Sequence, residues 1–307
     1  MSNKEINEKD FNSLLNSLED LTYRDLNAED LNFSVDDCIE FFWTNPELQN
    51  PSSSIYIFFK NLLILRYAAH YSLNNTVEKI LDIKIDFPFM EMGNINSRHF
   101  FGIDELFIYM FYKKNKERYK TVCDIGTNVG LHSKILCSLG YEVHSYEPDI
   151  NHSVIAKDFL EGFSNNTFHQ KAVSNYSGKA EFTKIVNNTT GSYINDKKES
   201  YGPVDVYEVE VEDAINLTNK FDLFKLDVEG SEVDILKSFE EQHFNNSDFI
   251  AEISTENNRI EFWEYFSTLQ VSVYSQKKSW RKVNSIEDLP TSHREGSIFI
   301  SNKNQWY

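Results

Sequence analysis

Residues 121–149, TVCDIGTNVGLHSKILCSLGYEVHSYEPD, constrain this chain more than any other stretch. Thr121 to Ile125 is a largely apolar, β-branched run and reads as a buried strand. Gly126-Thr127-Asn128-Val129-Gly130 is a turn with two positions open to unusual backbone angles. Apolar residues from Leu131 to Leu139 recur at helical spacing, and Gly140 closes that helix. Tyr141 to Tyr146 is a second strand that runs into Glu147-Pro148-Asp149. Pro148 cannot extend a ladder, so Glu147 marks the strand's end. A strand, glycine turn, helix and strand followed by an acid make a nucleoside-binding unit. The turn lets backbone approach the ligand, and the acid accepts hydrogen bonds from ribose hydroxyls.

Glycine spacing narrows the nucleoside. A dinucleotide fold wants G-x-G-x-x-G, because a pyrophosphate must lie against bare backbone at the helix start. Counted from Gly126, the later glycines would fall where Asn128 and Leu131 stand. The pattern here is D-x-G-x-x-x-G, with Asp124 ahead of the turn. It suits S-adenosylmethionine (SAM), which has no phosphate but carries an amino-acid end and a cation. An NAD-type oxidoreductase is the alternative this spacing disfavours.

Three later stretches extend the pattern: Glu147-Pro148, Lys171-Ala172-Val173-Ser174, and Lys225-Leu226-Asp227-Val228-Glu229-Gly230-Ser231-Glu232. With the first motif they resemble the FkbM-type family of SAM-dependent methyltransferases, over roughly residues 97–255. The resemblance implies SAM as cofactor and hydroxyls of sugars, glycans or secondary metabolites as acceptors. It places adenine contacts around Lys171 and Ala172, largely through backbone, and raises Glu229 above an ordinary helix-start acid, leaving Glu232 near one. In related methyltransferases the segment before the first core strand covers the cofactor's methionine end. Asp104 and Glu105 are candidates there, or ordinary first-turn acids.

Read from the residues, strands alternate with helices from residue 121 onward, which means a doubly wound, mostly parallel α/β sheet. The strands are Thr121–Ile125, Tyr141–Tyr146, 167–173, Phe221–Asp227 and Phe249–Ser254, with Lys179–Val186 and Val204–Val211 between. Residues 271–275 and 297–301 close the sheet as an antiparallel pair. Ligands in such sheets bind at the carboxyl ends of the strands. Asp124, Glu147, Asp227 and Glu252 all fall there, the main reason to group them in one site.

The expected cofactor residues are Asp124, Gly126, Thr127, Asn128, Gly130, Glu147, Pro148, Lys171, Ala172 and Asp227. Asp124 either meets the methionine amino group, directly or through water, or only orients the turn. Thr127 and Asn128 either bond the cofactor or satisfy the turn. The expected catalytic set is Asp227, Lys225, Glu229 and Glu252. Lys225 and Asp227 stand two apart on a strand and share a face. Asp227 is the expected base, accepting the acceptor's proton as the methyl transfers or orienting the hydroxyl; otherwise it touches only the cofactor's amino group. Glu252 is a pocket acid or merely a residue at the mouth of the fifth strand. His132 reads as a helix-surface or packing residue. The chemistry needs no metal, although a carboxylate cluster could hold Mg²⁺ beside a diol.

Residues 1–95 read as a helical region and 96–307 as the methyltransferase domain. One helix carries Phe11, Leu14, Leu15, Leu18 and Leu21. A second starts at Ser34, with Asp37 three residues on. A third runs from about Ser53 to His70 and buries Ile55, Phe58, Phe59, Leu62, Leu65 and Ala69. This region is a cap over the acceptor pocket, a dimerisation surface, or packing against one edge; a scaffold that binds SAM without catalysis is the matching alternative function. Residues 83–89 alternate and read as a strand joining the two parts.

The net charge of −18 opposes nucleic acid and anionic membranes. The most apolar stretch, residues 55–69, is interrupted by Lys60, Asn61 and Arg66 and is too short to span a bilayer. Cys38, Cys123 and Cys137 lack metal spacing and read as buried thiols, which fits a reducing cytoplasm. No basic n-region with an apolar h-region opens the chain.

Overall fold

The computed structural model describes residues 34–194 and 202–307. The expected helix at residues 11–21 lies outside them. Helix α1 (Val35–Thr44) starts where Ser34 accepts from the Asp37 backbone N–H at 3.1 Å, and α2 (Ser54–Leu73) is capped in the same way by Ser53. The buried face of α2 keeps Phe59 and Leu62 from the sequence expectation, with Ile55, Phe58, Leu65 and Ala69 only partly buried. It carries Tyr56, Phe59, Leu62, Leu63, Tyr67 and Tyr71, while Ile57 and Ile64 stay about half exposed. Hydrophobicity alone misses part of that face because the tyrosine hydroxyls find partners. Tyr56 donates to Asp104 Oδ1 at 2.6 Å and Tyr71 to the Phe87 carbonyl at 3.2 Å.

Strands β1 (Thr76–Ile80) and β2 (Ile83–Pro88) form a hairpin turned by Leu81 and Asp82, both at positive φ. The strand expected at residues 83–89 is β2; it pairs with β1 alone and meets the later residues by packing, Phe87 lying 5.4 Å from Phe159. A second small hairpin, β3 (Glu91–Met92) and β4 (Ile95–Asn96), leads into α3 (Ile103–Lys114). A division between residues 95 and 96 falls inside β4. Packing is continuous across it: Phe42 of α1 meets Phe59 of α2 and Phe107 of α3 at 5.4 Å, and Phe111 of α3 stacks on Trp306 at 4.3 Å. Trp306 is fully buried and stacks in turn on Trp280 at 3.6 Å.

The remaining chain forms β5 (Thr121–Ile125), α4 (Leu131–Ser138), β6 (Glu142–Tyr146), α5 (Ile150–Phe159), β7 (Asn166–His169), β8 (Ala172–Ser174), β9 (Gly178–Ile185), β10 (Tyr193–Ile194), β11 (Val204–Asp213), β12 (Leu223–Leu226), α6 (Glu232–Lys237), β13 (Asp248–Glu252), α7 (Glu256–Phe266), β14 (Val273–Ser275), β15 (Arg281–Lys282) and β16 (Ser297–Ile300). The main sheet has the order β15-β14-β16-β13-β12-β5-β6-β7. β7, β6, β5, β12 and β13 run parallel, and β16 enters antiparallel between β13 and β14. The chain moves outward from β5 to β7, then returns to β12. The switch point therefore lies between β5 and β12, with β6 beside it.

The single strand expected at 167–173 is two strands in different sheets. β7 ends the main sheet, whereas β8 belongs to a second sheet of order β10-β9-β11-β8. The Lys184 ammonium, 2.9 Å from Asp149 Oδ2, ties that second sheet to the loop after β6. It stands over the carboxyl end of the parallel strands as a wall.

Candidate active site

The turn after β5 is shaped by its neighbours. Gly126 has φ +80°, and a Cβ there would lie 1.8 Å from the Asp227 carbonyl oxygen. Gly130 has φ +91°, and its Cβ would press on Ala156 of α5 at 3.3 Å. The glycines are thus required by the chain leaving the neighbouring strand β12 and by a packed helix, apart from any ligand. The turn's donors are spent as well. Gly126 and Thr127 N–H both donate to the Tyr146 carbonyl (2.9 and 3.0 Å), Asn128 N–H to Glu147 Oε2 (2.9 Å) and Gly130 N–H to the Thr127 carbonyl (2.9 Å). A pyrophosphate would find none of these four free, which disfavours a dinucleotide on structural grounds.

Asp124 lies beneath the turn with no exposed surface. It accepts from Thr127 Oγ1 at 2.7 Å and Ser133 Oγ at 2.6 Å, and Lys225 Nζ stands 3.6 Å from its other oxygen. Burial alone would raise its pKa; the Lys225 ammonium, His132 and the two hydroxyls outweigh it and hold the carboxyl below the usual range. Lys225 also contacts Asp227 Oδ2 at 3.2 Å and donates to the Gly126 carbonyl at 3.3 Å. Burial would lower the lysine, yet Asp227, Asp124 and Glu105 together keep it above its ordinary value. Asp227 is the exposed end of this chain of charges, with 38% of its side-chain surface open.

Above this layer lies a cavity of about 530 Å³ at the switch point. Gly126, Asn128, Glu147, Pro148, Lys171, Ala172, Asp227, Glu229 and Glu252 all line it. Of the residues expected from sequence, Asp124, Thr127, Gly130 and Lys225 are not among its lining. Glu105 reaches the cavity from α3, whereas its neighbour Asp104 turns away to Tyr56 and Gln276. Sequence reading missed Ile95, His99 and Phe100 ahead of α3, the wall from Phe182 to Ile194, and His152 and His293. No local pattern marks them, since they are spread over β4, α5, β9, β10 and the loops between. Helices α1 and α2 contribute nothing to the lining. His132 is no surface residue: it is 5% exposed, between Glu105 and Tyr112. Ser231 does not cap α6, and its buried hydroxyl has no partner. Glu232 holds that turn instead, accepting from the Val228 and Gly230 N–H groups at 3.0 and 2.9 Å. Among the described residues, no group of three His, Cys, Asp or Glu side chains is placed to hold a metal ion.

The residues fit SAM. Each Glu147 oxygen takes one backbone N–H, from Asn128 at 2.9 Å and Asp149 at 2.8 Å, which fixes the carboxylate and leaves lone pairs for ribose hydroxyls. The side-chain oxygen of Asn128 is an acceptor without a partner at the same wall. Glu105, Asp227, Glu229 and Glu252 line the space with acidic side chains, which suits a sulfonium and an ammonium.

Buried carboxyls here carry a consequence for stability. Burial pushes Glu147 up to about 8 and Glu232 up to about 7, and raises Glu252 well above the ordinary range. A folded-state pKa above the unfolded value means stability is fullest below the unfolded pKa and is lost as pH rises through the folded one. The ligand-free protein is therefore expected to become less stable from about pH 5 to pH 8. Glu147→Gln should flatten that slope by about 1.4 kcal/mol per pH unit. Chemical denaturation across this range checks it, and equal slopes for wild type and variant would contradict the assignment.

The family model described as the methyltransferase FkbM domain matches residues 124–281. Solved structures with similar architecture include a precorrin-6y C5,15-methyltransferase from Geobacter metallireducens (12% identity, 64% of this chain, 89% of that chain, TM-score 0.36). An O-methyltransferase from Bacillus cereus in complex with SAH matches at 11% identity over 62% of this chain and 78% of that one, TM-score 0.33. TomG, an O-methyltransferase from Streptomyces achromogenes in complex with SAM, matches at 11%, 62% and 77%, TM-score 0.34. A search of curated proteins found no match. The family match covers more than half of the chain and contains Asp124, Glu147, Lys171, Ala172, Lys225, Asp227, Glu229 and Glu252; the chain belongs to the FkbM family of SAM-dependent methyltransferases.

Proposed function

We propose that this protein methylates a hydroxyl oxygen of a neutral sugar, glycan unit or secondary metabolite in the cytoplasm. The observation that carries the reading is Asp227. It faces the cavity at the end of β12, fixed from behind by Lys225 at 3.2 Å, with Glu252 of the adjacent strand β13 beside it. When bound, SAM supplies a methyl group already activated by its sulfonium. Glu147 holds ribose hydroxyls, and the backbone near Lys171 and Ala172 flanks the adenine. Asp227 accepts a hydrogen bond from the acceptor hydroxyl and orients its oxygen. The lining acids and the net charge of −18 argue against phosphate-bearing acceptors, including nucleic acid. Cys38, Cys123 and Cys137 are buried and free, which supports a reducing compartment. No described helix is long and apolar enough to cross a membrane.

The test is transfer from methyl-labelled SAM into matched neutral glycosides, nucleotide sugars and RNA. Label is expected in the neutral glycosides as a base-stable ether. Robust, salt-sensitive labelling of RNA, or label confined to nitrogen, would refute the acceptor class.

A further inference from the structure

Glu105 and His132 form a pair at the edge of the cavity. Glu105 reaches the cavity from the first turn of α3 and keeps 27% of its side-chain surface open. Its Oε2 is buried without a well-aligned hydrogen bond, and His132 Nε2 stands 2.9 Å from it. The His132 ring is held on every side. Its Nδ1 stands 3.1 Å from the Tyr112 hydroxyl, and Tyr109 packs edge-to-face on it at 4.9 Å. Tyr109 and Tyr112 come from the same helix as Glu105. Carboxylate and imidazole are therefore set against each other by one rigid element, with the open side of the carboxylate facing the cavity.

Methyl transfer to a hydroxyl releases a proton, and Asp227 is poorly placed to keep it. Asp227 is ion-paired to Lys225, so protonating it would dissolve one half of that buried ammonium's compensation. Burial, with Asp227 and Glu105 nearby, raises Glu252 well above the ordinary range. The Glu105–His132 pair differs: the neighbour of Glu105 is an imidazole and not a buried ammonium, so a proton taken by its open oxygen leaves the Lys225–Asp227 pair intact.

We propose that Glu105 is the base that receives the acceptor's proton, and that His132 is the positioning residue that holds it. This rests on the hydroxyl-methylation reading above. As the oxygen–methyl bond forms and the sulfur–methyl bond breaks, with its electron pair left on sulfur, the hydroxyl proton passes to the open oxygen of Glu105. Asp227 orients the hydroxyl on binding, and the single hydroxyl proton turns from Asp227 to Glu105 as the oxygen is alkylated, because Asp227 stays paired to Lys225.

The decisive measurement needs no acceptor. Sinefungin carries a primary amine where SAM carries the methyl; S-adenosylhomocysteine (SAH) carries nothing there. A carboxylate waiting at the methyl position should make the wild-type protein bind sinefungin about tenfold more tightly than SAH. Glu105→Gln, which keeps shape, should abolish that preference and leave SAH affinity within about threefold. His132→Asn should reduce the preference in part, by loosening Glu105. In the transfer assay, Glu105→Gln should lower kcat by about 10²-fold or more, with little change in KM for SAM. Equal weakening of sinefungin and SAH in Glu105→Gln would place Glu105 at the amino-acid end and overturn the proposal. Unchanged binding and unchanged kcat would overturn it as well. A full sinefungin preference in His132→Asn would overturn the positioning role. Failure of the wild-type protein to bind SAH would instead sink the cofactor reading, so the two failures are distinguishable.

Discussion

Lys225→Met is expected to destabilise the protein by about 3–5 kcal/mol, the range for removing one partner of a buried ion pair. Methionine is close in length and makes no cavity worth the name, so the loss isolates the charge. Asp124 has no exposed surface and would keep only the Thr127 and Ser133 hydroxyls as direct donors. Its carboxylate would then have to take up a proton or pull water under the turn. Asp227 matters less to this sum, because with 38% of its side chain open its half of the interaction is screened by solvent. Folded domains are stable by about 5–15 kcal/mol in all, so the variant should lose a large share of that. Urea unfolding measures it. The double variant Asp124→Asn with Lys225→Met should recover much of the loss, because it leaves no orphaned charge. A single-variant loss under about 1 kcal/mol would mean that the Lys225–Asp124 contact is not energetically coupled.

That buried layer also explains what the sequence could and could not convey. Strand ends were legible because each is punctuated: Asp124 by Gly126, Glu147 by Pro148, Asp227 by the Gly230 turn. An acid after an apolar run has few places to go except the open end of a parallel sheet. Depth at that end was not legible. Asp124 and Asp227 follow the same rule, yet one sits under the turn and the other on the cavity wall, because Lys225 inserts between them. The glycines were found for a ligand-based reason, while their actual constraint is the Asp227 carbonyl and Ala156, which lie far along the chain. Asp104 and Glu105 looked alike in one dimension. They are adjacent on a helix and must face about 100° apart, so only tertiary packing decides which one meets the cavity. The wall built from the second sheet was invisible as a wall, since nothing local shows that β8 leaves the main sheet at Lys171. The α2 face was legible in part: Phe59 and Leu62 are buried as expected, and Tyr56 and Tyr71 join them because their hydroxyls have partners.

Asp227→Asn is expected to leave the fold and SAM affinity nearly unchanged while lowering turnover by about 10²-fold or more. Asparagine keeps the size and one acceptor oxygen, and Lys225 keeps Asp124 at 3.6 Å and the Gly126 carbonyl at 3.3 Å. Stability should therefore change by less than about 1 kcal/mol, in contrast to Lys225→Met. The loss in rate follows from what a carboxylate does for an alcohol. It accepts the hydroxyl's hydrogen bond more strongly than an amide does, and it helps as the oxygen gives up its proton. An amide free to present its NH₂ group would instead point a donor at an oxygen that must keep a lone pair for the methyl carbon. Misdirecting that oxygen by about 1 Å is enough for a loss on the order of 10²-fold. Saturating-SAM turnover, paired with equilibrium SAM binding, separates this role from its rival. If Asp227→Asn mainly weakens SAM binding and turnover at saturating SAM stays normal, Asp227 belongs to the cofactor's amino-acid end. The acceptor would then have to be oriented by Glu252 or Glu229, the remaining acids on that wall.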